Sequence, residues 1–262
     1  MTVRAAVYGP PSVDKALGAL PVVAAFCGRL DIRGHVDRAC PIRDVARLSH
    51  GQVIEVLIAN RLTSPTPLVH VERRARAWAV QEVFETAPDL LNDDRIGRAL
   101  DALAPALDQV VGSVGAAAIA AFGLDVSQLH WDMTSISLYG AYRTVDEDFP
   151  KPRFGHPKDR RRDLLQIQTG LAVSADGGVP VLARGYDGGA AEVSQVVAAM
   201  ESLRTLAAKR RFLLIGDSKL VSYANLRVRD RFVGERSDRW SFPVRLLRWG
   251  PRVRWRGRSA GW

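Results

Sequence analysis

The chain has 262 residues, is 47% hydrophobic and carries a formal net charge of +9, which suits one or two folded domains. No apolar run in the sequence approaches the roughly 18–20 residues that span a bilayer. The N-terminus also lacks the basic-then-apolar pattern of a secretory signal, so we expect a cytoplasmic protein with no membrane partner. The two cysteines, Cys27 and Cys40, provide no disulfide framework, and with His35 and His50 they fit no zinc-binding spacing.

Charge is divided unevenly along the chain. Residues 1–150 carry 14 Lys and Arg against 18 Asp and Glu, whereas residues 151–262 carry 23 against 10. A strongly basic half predicts a polyanionic partner, most simply nucleic acid. The alternative is a solvated basic surface.

The first half of the chain predicts helices, because apolar residues recur there at helical spacing between cap residues. The predicted helices are 17–30, 49–62 with Ser49 as N-cap, 68–86, one that starts at 92–94 and breaks at Pro105, and 106–122 ending at Gly123. We therefore predict a helical N-terminal domain over residues 1–125. Helix pairs joined by tight turns occur in DNA-binding proteins, but no recognition helix is identifiable, and a dimerisation or packing domain is the alternative.

From residue 126 the pattern changes to β-branched and aromatic runs separated by Gly-rich turns. We predict strands at 129–139, 164–174, 179–186 and 212–215, with a helix at 191–208 between the last two. Asp176-Gly177-Gly178 is a hairpin signal. A crossover helix before the fourth strand implies a parallel step, so the fold class is α/β with a mixed sheet.

Two aspartates stand out in these strands. Asp132 lies between Trp131 and Met133, and Asp217 follows the apolar run 212–215. A carboxylate inside an apolar strand is costly unless it is paired or binds a metal. If the fourth strand pairs beside the first, the two carboxylates meet and suit a two-metal phosphoryl-transfer site. The alternative for each is structural, as a helix cap or a turn residue.

Four motifs in this order resemble the DDE transposases of bacterial insertion sequences, in the ribonuclease-H-like group. They are W-D-M-T-S around Asp132, G-H-P-K-D-R-R-R-D-L at 155–164, A-D-G-G-V-P-V at 175–181 and L-L-I-G-D-S-K at 213–219. The helical region also resembles the domain that precedes the catalytic core in one branch of these enzymes. The resemblance implies an incomplete ribonuclease-H-like core over residues 126–226, with flanking helices.

The resemblance further implies a role for particular residues. Asp132 and Asp217 would be the first two members of a three-carboxylate site that holds two Mg²⁺ ions and cuts and joins DNA. Basic side chains near the second strand and after Asp217 would contact DNA phosphates; they are His156, Lys158, Arg160 and Lys219. The alternative for the basic side chains is a solvated surface.

The family pattern breaks after Asp217. The family requires a Glu on a later helix, but the acids that remain are Asp230, Glu235 and Asp238, and none lies in an apolar-periodic helix. Residues 227–262 hold 11 arginines and four of the six tryptophans without helical or strand period. We interpret this tail as out-of-frame translation or a truncated element. An Arg/Trp-rich tail that binds nucleic acid is the alternative.

Two hypotheses follow from these patterns. The first is an insertion-sequence transposase for metal-dependent DNA cleavage and strand transfer at transposon ends, impaired by loss of the third carboxylate. The second is a non-catalytic fragment that binds DNA or regulates a transposase, as a homodimer or together with the full-length enzyme.

Overall fold

A computed structural model describes residues 13–43, 45–142, 149–155, 160–190, 192–206 and 212–216. Within those residues a helical region precedes a four-stranded mixed sheet with flanking helices, so the predicted α/β class is confirmed. The helices are α1 Leu20–Arg29, α2 Ile32–Ala39, α3 His50–Thr63, α4 Val71–Ala77, α5 Val80–Phe84, α6 Asp93–Leu103, α7 Leu107–Phe122 and α8 Glu192–Leu206. The strands are β1 Gln128–Leu138, β2 Leu165–Ser174, β3 Pro180–Asp187 and β4 Leu213–Ile215.

Helix α3 is the centre of the helical region. It begins with a capping box, in which the Ser49 hydroxyl accepts from the Gln52 N–H at 3.1 Å and the Gln52 side chain accepts from the Ser49 N–H at 2.9 Å. Val53 and Val56 are fully buried, and even Glu55 is 5% exposed. Because α3 is buried among its neighbours, it cannot enter a DNA groove as a recognition helix.

The prediction of one helix over 68–86 is wrong. The segment contains a 3₁₀ turn at Leu68–His70, then α4 and α5, which are separated at Trp78. Trp78 has extended backbone angles (φ −112°, ψ 157°) and lies in a short parallel bridge with Ala16. Its ring packs on Gly18 and under the Arg74 guanidinium, 4.6 Å from the ring centroid. Tertiary contacts of one aromatic side chain therefore outweigh local helical spacing.

The sheet has the strand order β3-β2-β1-β4. Strands β2 and β3 pair antiparallel, as the hairpin signal predicts. Strand β1 pairs antiparallel to β2, and β4 pairs parallel to β1. The predicted parallel step and the predicted neighbourhood of the first and fourth strands are both confirmed. One face of the sheet buries Leu129, Trp131 and Met133 against residues of α7 and α8. We call the opposite face the outer face.

Helix α7 joins the helical region to the sheet. Gly115 on α7 lies so close to β3 that an added Cβ would stand 2.4 Å from the Val181 carbonyl oxygen. Beside it, the Arg184 guanidinium donates to the Asp108 carboxylate at 2.6 and 2.9 Å. Through these contacts α7 packs directly on β3.

No segment long and apolar enough to span a bilayer was expected from the sequence, and the continuous helical run Asp93–Phe122 departs from that expectation. By length and composition alone, with a mean hydropathy of 1.4 in its most apolar window, it is long and apolar enough to cross a bilayer. The run includes α6, a 3₁₀ turn at Ala104–Ala106 and α7. Its C-terminal part, α7, is the helix that packs on β3.

Candidate functional site

Asp132 lies on the outer face of β1. Because side chains alternate along a strand, Trp131 and Met133 are 5% and 3% exposed on the packed face while Asp132 between them is exposed. The argument that Asp132 is costly because it is buried among apolar side chains is therefore wrong. Because water reaches this carboxylate, its position on the strand carries no burial penalty.

The Asp132 carboxylate is oriented by its own strand. Its Oδ1 accepts a hydrogen bond from the Met133 N–H at 2.8 Å. Across the ladder, Asp132 stands opposite Leu171 of β2, and Leu171 stands opposite Ala183 of β3. The residues directly across the ladder from Asp132 are thus apolar, and the described part of the chain contains no group of three His, Cys, Asp or Glu that could hold a metal. Among the described residues, no acidic side chain therefore stands directly across β2 and β3 from Asp132.

Strand β4 lies on the other side of β1. The Leu213 N–H donates to the Ser127 carbonyl at 2.8 Å, and the parallel register pairs Gln128 with Leu213 and His130 with Ile215. Asp132 is the second residue after His130, and Asp217 is the second residue after Ile215. Asp217 itself is outside the described residues, so the structure brings its strand beside β1 but does not place its carboxylate.

Of the predicted DNA-contacting residues, Arg160 is described, whereas His156, Lys158 and Lys219 are outside the described residues. Arg160 is exposed at a left-handed backbone position (φ 63°), and its carbonyl accepts from the Arg162 N–H at 3.0 Å. The neighbouring Arg161 pairs with Asp163 at 2.7 Å, and this guanidinium lowers the pKa of the Asp163 carboxyl to about 2. The turn therefore presents arginines just before β2.

The segment between β1 and β2 was expected to act through its basic residues alone. The structure shows exposed aromatic side chains in and beside it: Tyr139 is 74%, Tyr142 43% and Phe154 63% exposed. The signal available from the sequence was the interleaving of aromatic and basic residues, which single-strand nucleic-acid surfaces favour.

The helical region contains a separate cleft of about 280 Å³ between α1, α3 and α5. Its wall includes Glu55, whose Oε2 accepts from the Arg33 guanidinium at 2.9 and 3.0 Å. Cys27 also lines it, and burial, followed by the nearby Glu55 charge, raises the pKa of the Cys27 thiol to about 11. The thiol is therefore protonated at neutral pH, which makes it a poor nucleophile.

Comparison with known proteins gives one match. Residues 13–109 match the model of a domain of unknown function (DUF4277), a domain found in transposase-like proteins. Searches among curated proteins and among solved structures each gave no match. The matched residues lie in the helical region and make up less than half of the chain. Over these residues the chain is similar to a domain that occurs in transposase-like proteins.

Proposed function

We propose that this chain is an insertion-sequence transposase of the DDE type, acting on transposon-end DNA in the cytoplasm, with Asp132 and Asp217 as two of its metal-binding carboxylates. The observation that carries the proposal is the parallel pairing of β1 with β4, in a register that ends two residues before each aspartate. The match of residues 13–109 to a domain found in transposase-like proteins supports it independently.

The residues present fit Mg²⁺. Asp132 offers hard carboxylate oxygens on an exposed strand face, which is the donor type that Mg²⁺ prefers. When bound at such a site, the ions would lower the pKa of the attacking water or 3′-hydroxyl and stabilise the leaving oxygen. The Met133 N–H holds Oδ1 of Asp132 in place, so the ligand is oriented before any ion arrives. Arg160 would bind a phosphate of the same DNA strand.

Catalysis in this chain is expected to be impaired. The acids that follow Asp217 in the sequence, Asp230, Glu235 and Asp238, lie in no apolar-periodic segment that would form the helix of a third carboxylate. This observation favours a second candidate function, a non-catalytic fragment that binds DNA or assembles with itself or with a full-length transposase.

The test is nicking of the chromosomal DNA that flanks the coding sequence, with Mg²⁺ or Mn²⁺, together with a binding assay on the same DNA. The expected result is slow, metal-dependent nicking that falls to background in Asp132→Asn and persists in Asp176→Asn, an exposed control in the β2–β3 turn. Nicking that survives Asp132→Asn refutes the site. Binding without nicking, unchanged by Asp132→Asn and Asp217→Asn, assigns the regulatory fragment instead. A chain that neither nicks nor binds DNA refutes both functions.

A further inference from the structure

The sheet end where β1 stops and β2 starts combines exposed aromatic rings with arginines. Tyr139, Tyr142 and Phe154 expose 74%, 43% and 63% of their surface. Large apolar side chains clustered in solvent mark a surface that another molecule covers. We call this surface the aromatic–arginine end; it consists of Tyr139, Tyr142, Phe154, Arg160 and Arg162.

The backbone brings the segments that carry Tyr139 and Phe154 to the same end of the sheet. The β1–β2 ladder ends at the pair Leu138 and Leu165, so Tyr139 stands directly at the end of β1. On the other side of β2, Arg153 pairs with Gln166 through two hydrogen bonds of 2.9 and 3.0 Å, and Phe154 follows it. Because adjacent strands lie about 4.8 Å apart, the chains that carry Tyr139 and Phe154 run roughly 10 Å apart, with β2 between them.

The described residues of this end include two exposed arginines besides the paired Arg161. Arg160 and Arg162 are exposed and form no ion pair with any residue that the structure describes. Their turn is held by the Arg162 N–H on the Arg160 carbonyl and by the Leu164 N–H on the Arg161 carbonyl, at 3.0 and 3.1 Å. The Arg161 guanidinium also interacts with Tyr139, which ties the arginine turn to the aromatic side.

This combination fits unpaired nucleotides better than duplex DNA. In a duplex the base faces are stacked inside, so an exposed ring cannot reach them, whereas a single strand offers a face at every base. Arginines beside the rings would pair with the phosphates of the same strand. An apolar protein partner would leave Arg160 and Arg162 desolvated without a counter-charge.

We propose that the aromatic–arginine end binds unpaired nucleotides of the DNA substrate by stacking on Tyr139 and Phe154. Asp132 is six residues from Leu138, and at roughly 3.3 Å per residue this is about 20 Å along β1. The inference rests on the proposed function for the identity of the substrate as DNA.

The test is fluorescence anisotropy of the full chain with a labelled 20-nucleotide oligothymidylate and with a 20-bp duplex, in EDTA so that cleavage plays no part. The double variant Tyr139→Ala/Phe154→Ala is expected to lose about tenfold in single-strand affinity for each ring, and far less on the duplex. Tyr139→Phe and Phe154→Trp should retain binding. Phe26→Ala, which removes a ring 52% exposed on α1, is the matched control.

Equal single-strand affinity of the double variant and the wild type would overturn the inference, as would an equal loss on the duplex. Both rings are exposed, so a melting temperature close to that of the wild type verifies that the double variant is folded. Because the assay contains no metal, its failure leaves the nicking test of Asp132 unaffected. Conversely, the chain fails to nick DNA in one possible outcome, yet the double variant still loses single-strand binding. That outcome supports the aromatic–arginine end and not the proposed enzyme.

Discussion

Replacing Gly115 by alanine tests how α7 docks on the sheet. Alanine in a helix interior normally gains about 1 kcal/mol over glycine. At Gly115, however, the new Cβ would stand 2.4 Å from the Val181 carbonyl oxygen and 3.3 Å from its carbon, and these are backbone atoms that no rotamer change can move. Overpacking of this kind costs about 1–3 kcal/mol. The helix therefore has to shift away from β3.

Gly112 is the matched control on the same helix. A Cβ at Gly112 would meet nothing within 4 Å, so Gly112→Ala keeps the propensity gain of about 1 kcal/mol without the clash. The difference between the two variants isolates the docking term, about 1–3 kcal/mol. At roughly 2–4 °C per kcal/mol for a protein of this size, the Gly115→Ala chain should melt at least a few degrees below the Gly112→Ala chain.

The assay is thermal unfolding of the two full-length variants and the wild type, followed by circular dichroism, with urea titration as a second measure. Gly112→Ala should be more stable than Gly115→Ala by both measures. Equal stabilisation by the two substitutions would show that α7 does not approach β3 at Gly115, and the docking of the helical region on the sheet would then be wrong.

Two further predictions concern titratable groups in the helical region. Burial, and then the nearby Arg95, lowers the pKa of His50 in the folded chain. As the pH falls, His50 therefore becomes protonated in the unfolded chain before it does in the folded chain. The free energy of unfolding should then fall as pH drops below about 6.5. His50→Gln should remove most of that slope between pH 6.5 and 5, measured by urea unfolding, and an unchanged slope would contradict the assignment. Burial raises the thiol pKa of both Cys27 and Cys40, so iodoacetamide at pH 8 should label them only as the chain unfolds. Rapid labelling of the native chain, detected by mass spectrometry, would be the opposite result.

Much of the fold follows from local sequence signals. Ser49 and Asn92 cap the helices that they were expected to cap, and Gly123 ends α7 in the left-handed conformation (φ 62°). The β-branched and aromatic runs predict the strands, the hairpin signal predicts the antiparallel pair of β2 and β3, and the helix before β4 predicts the parallel step. These features are encoded within a few residues of where they act.

The predictions fail where contacts between residues far apart in the sequence determine the local structure. Helix α2 was not predicted because it has only eight residues and buries only two apolar side chains, Ile32 and Val36. Its N-cap Asp31 has a left-handed conformation, and the ion pair of Arg33 with Glu55 ties the helix to α3. Trp78 divides 68–86 through contacts with residues near position 16. The exposed side of Asp132 could be derived from strand alternation, but the choice of outer face depends on which side α7 covers.

The proposed function depends most on a cation shared by Asp132 and Asp217. The direct measurement is Fe²⁺-directed cleavage of the polypeptide: Fe²⁺ occupies oxygen-ligand sites of divalent cations, and with ascorbate and peroxide it cuts the backbone close to where it is bound. If the two aspartates share a cation, cuts are expected near both positions 132 and 217. Excess Mg²⁺ should suppress these cuts, and Asp132→Asn should remove both. Cuts at one position alone, or cuts that persist in Asp132→Asn, would contradict the shared cation.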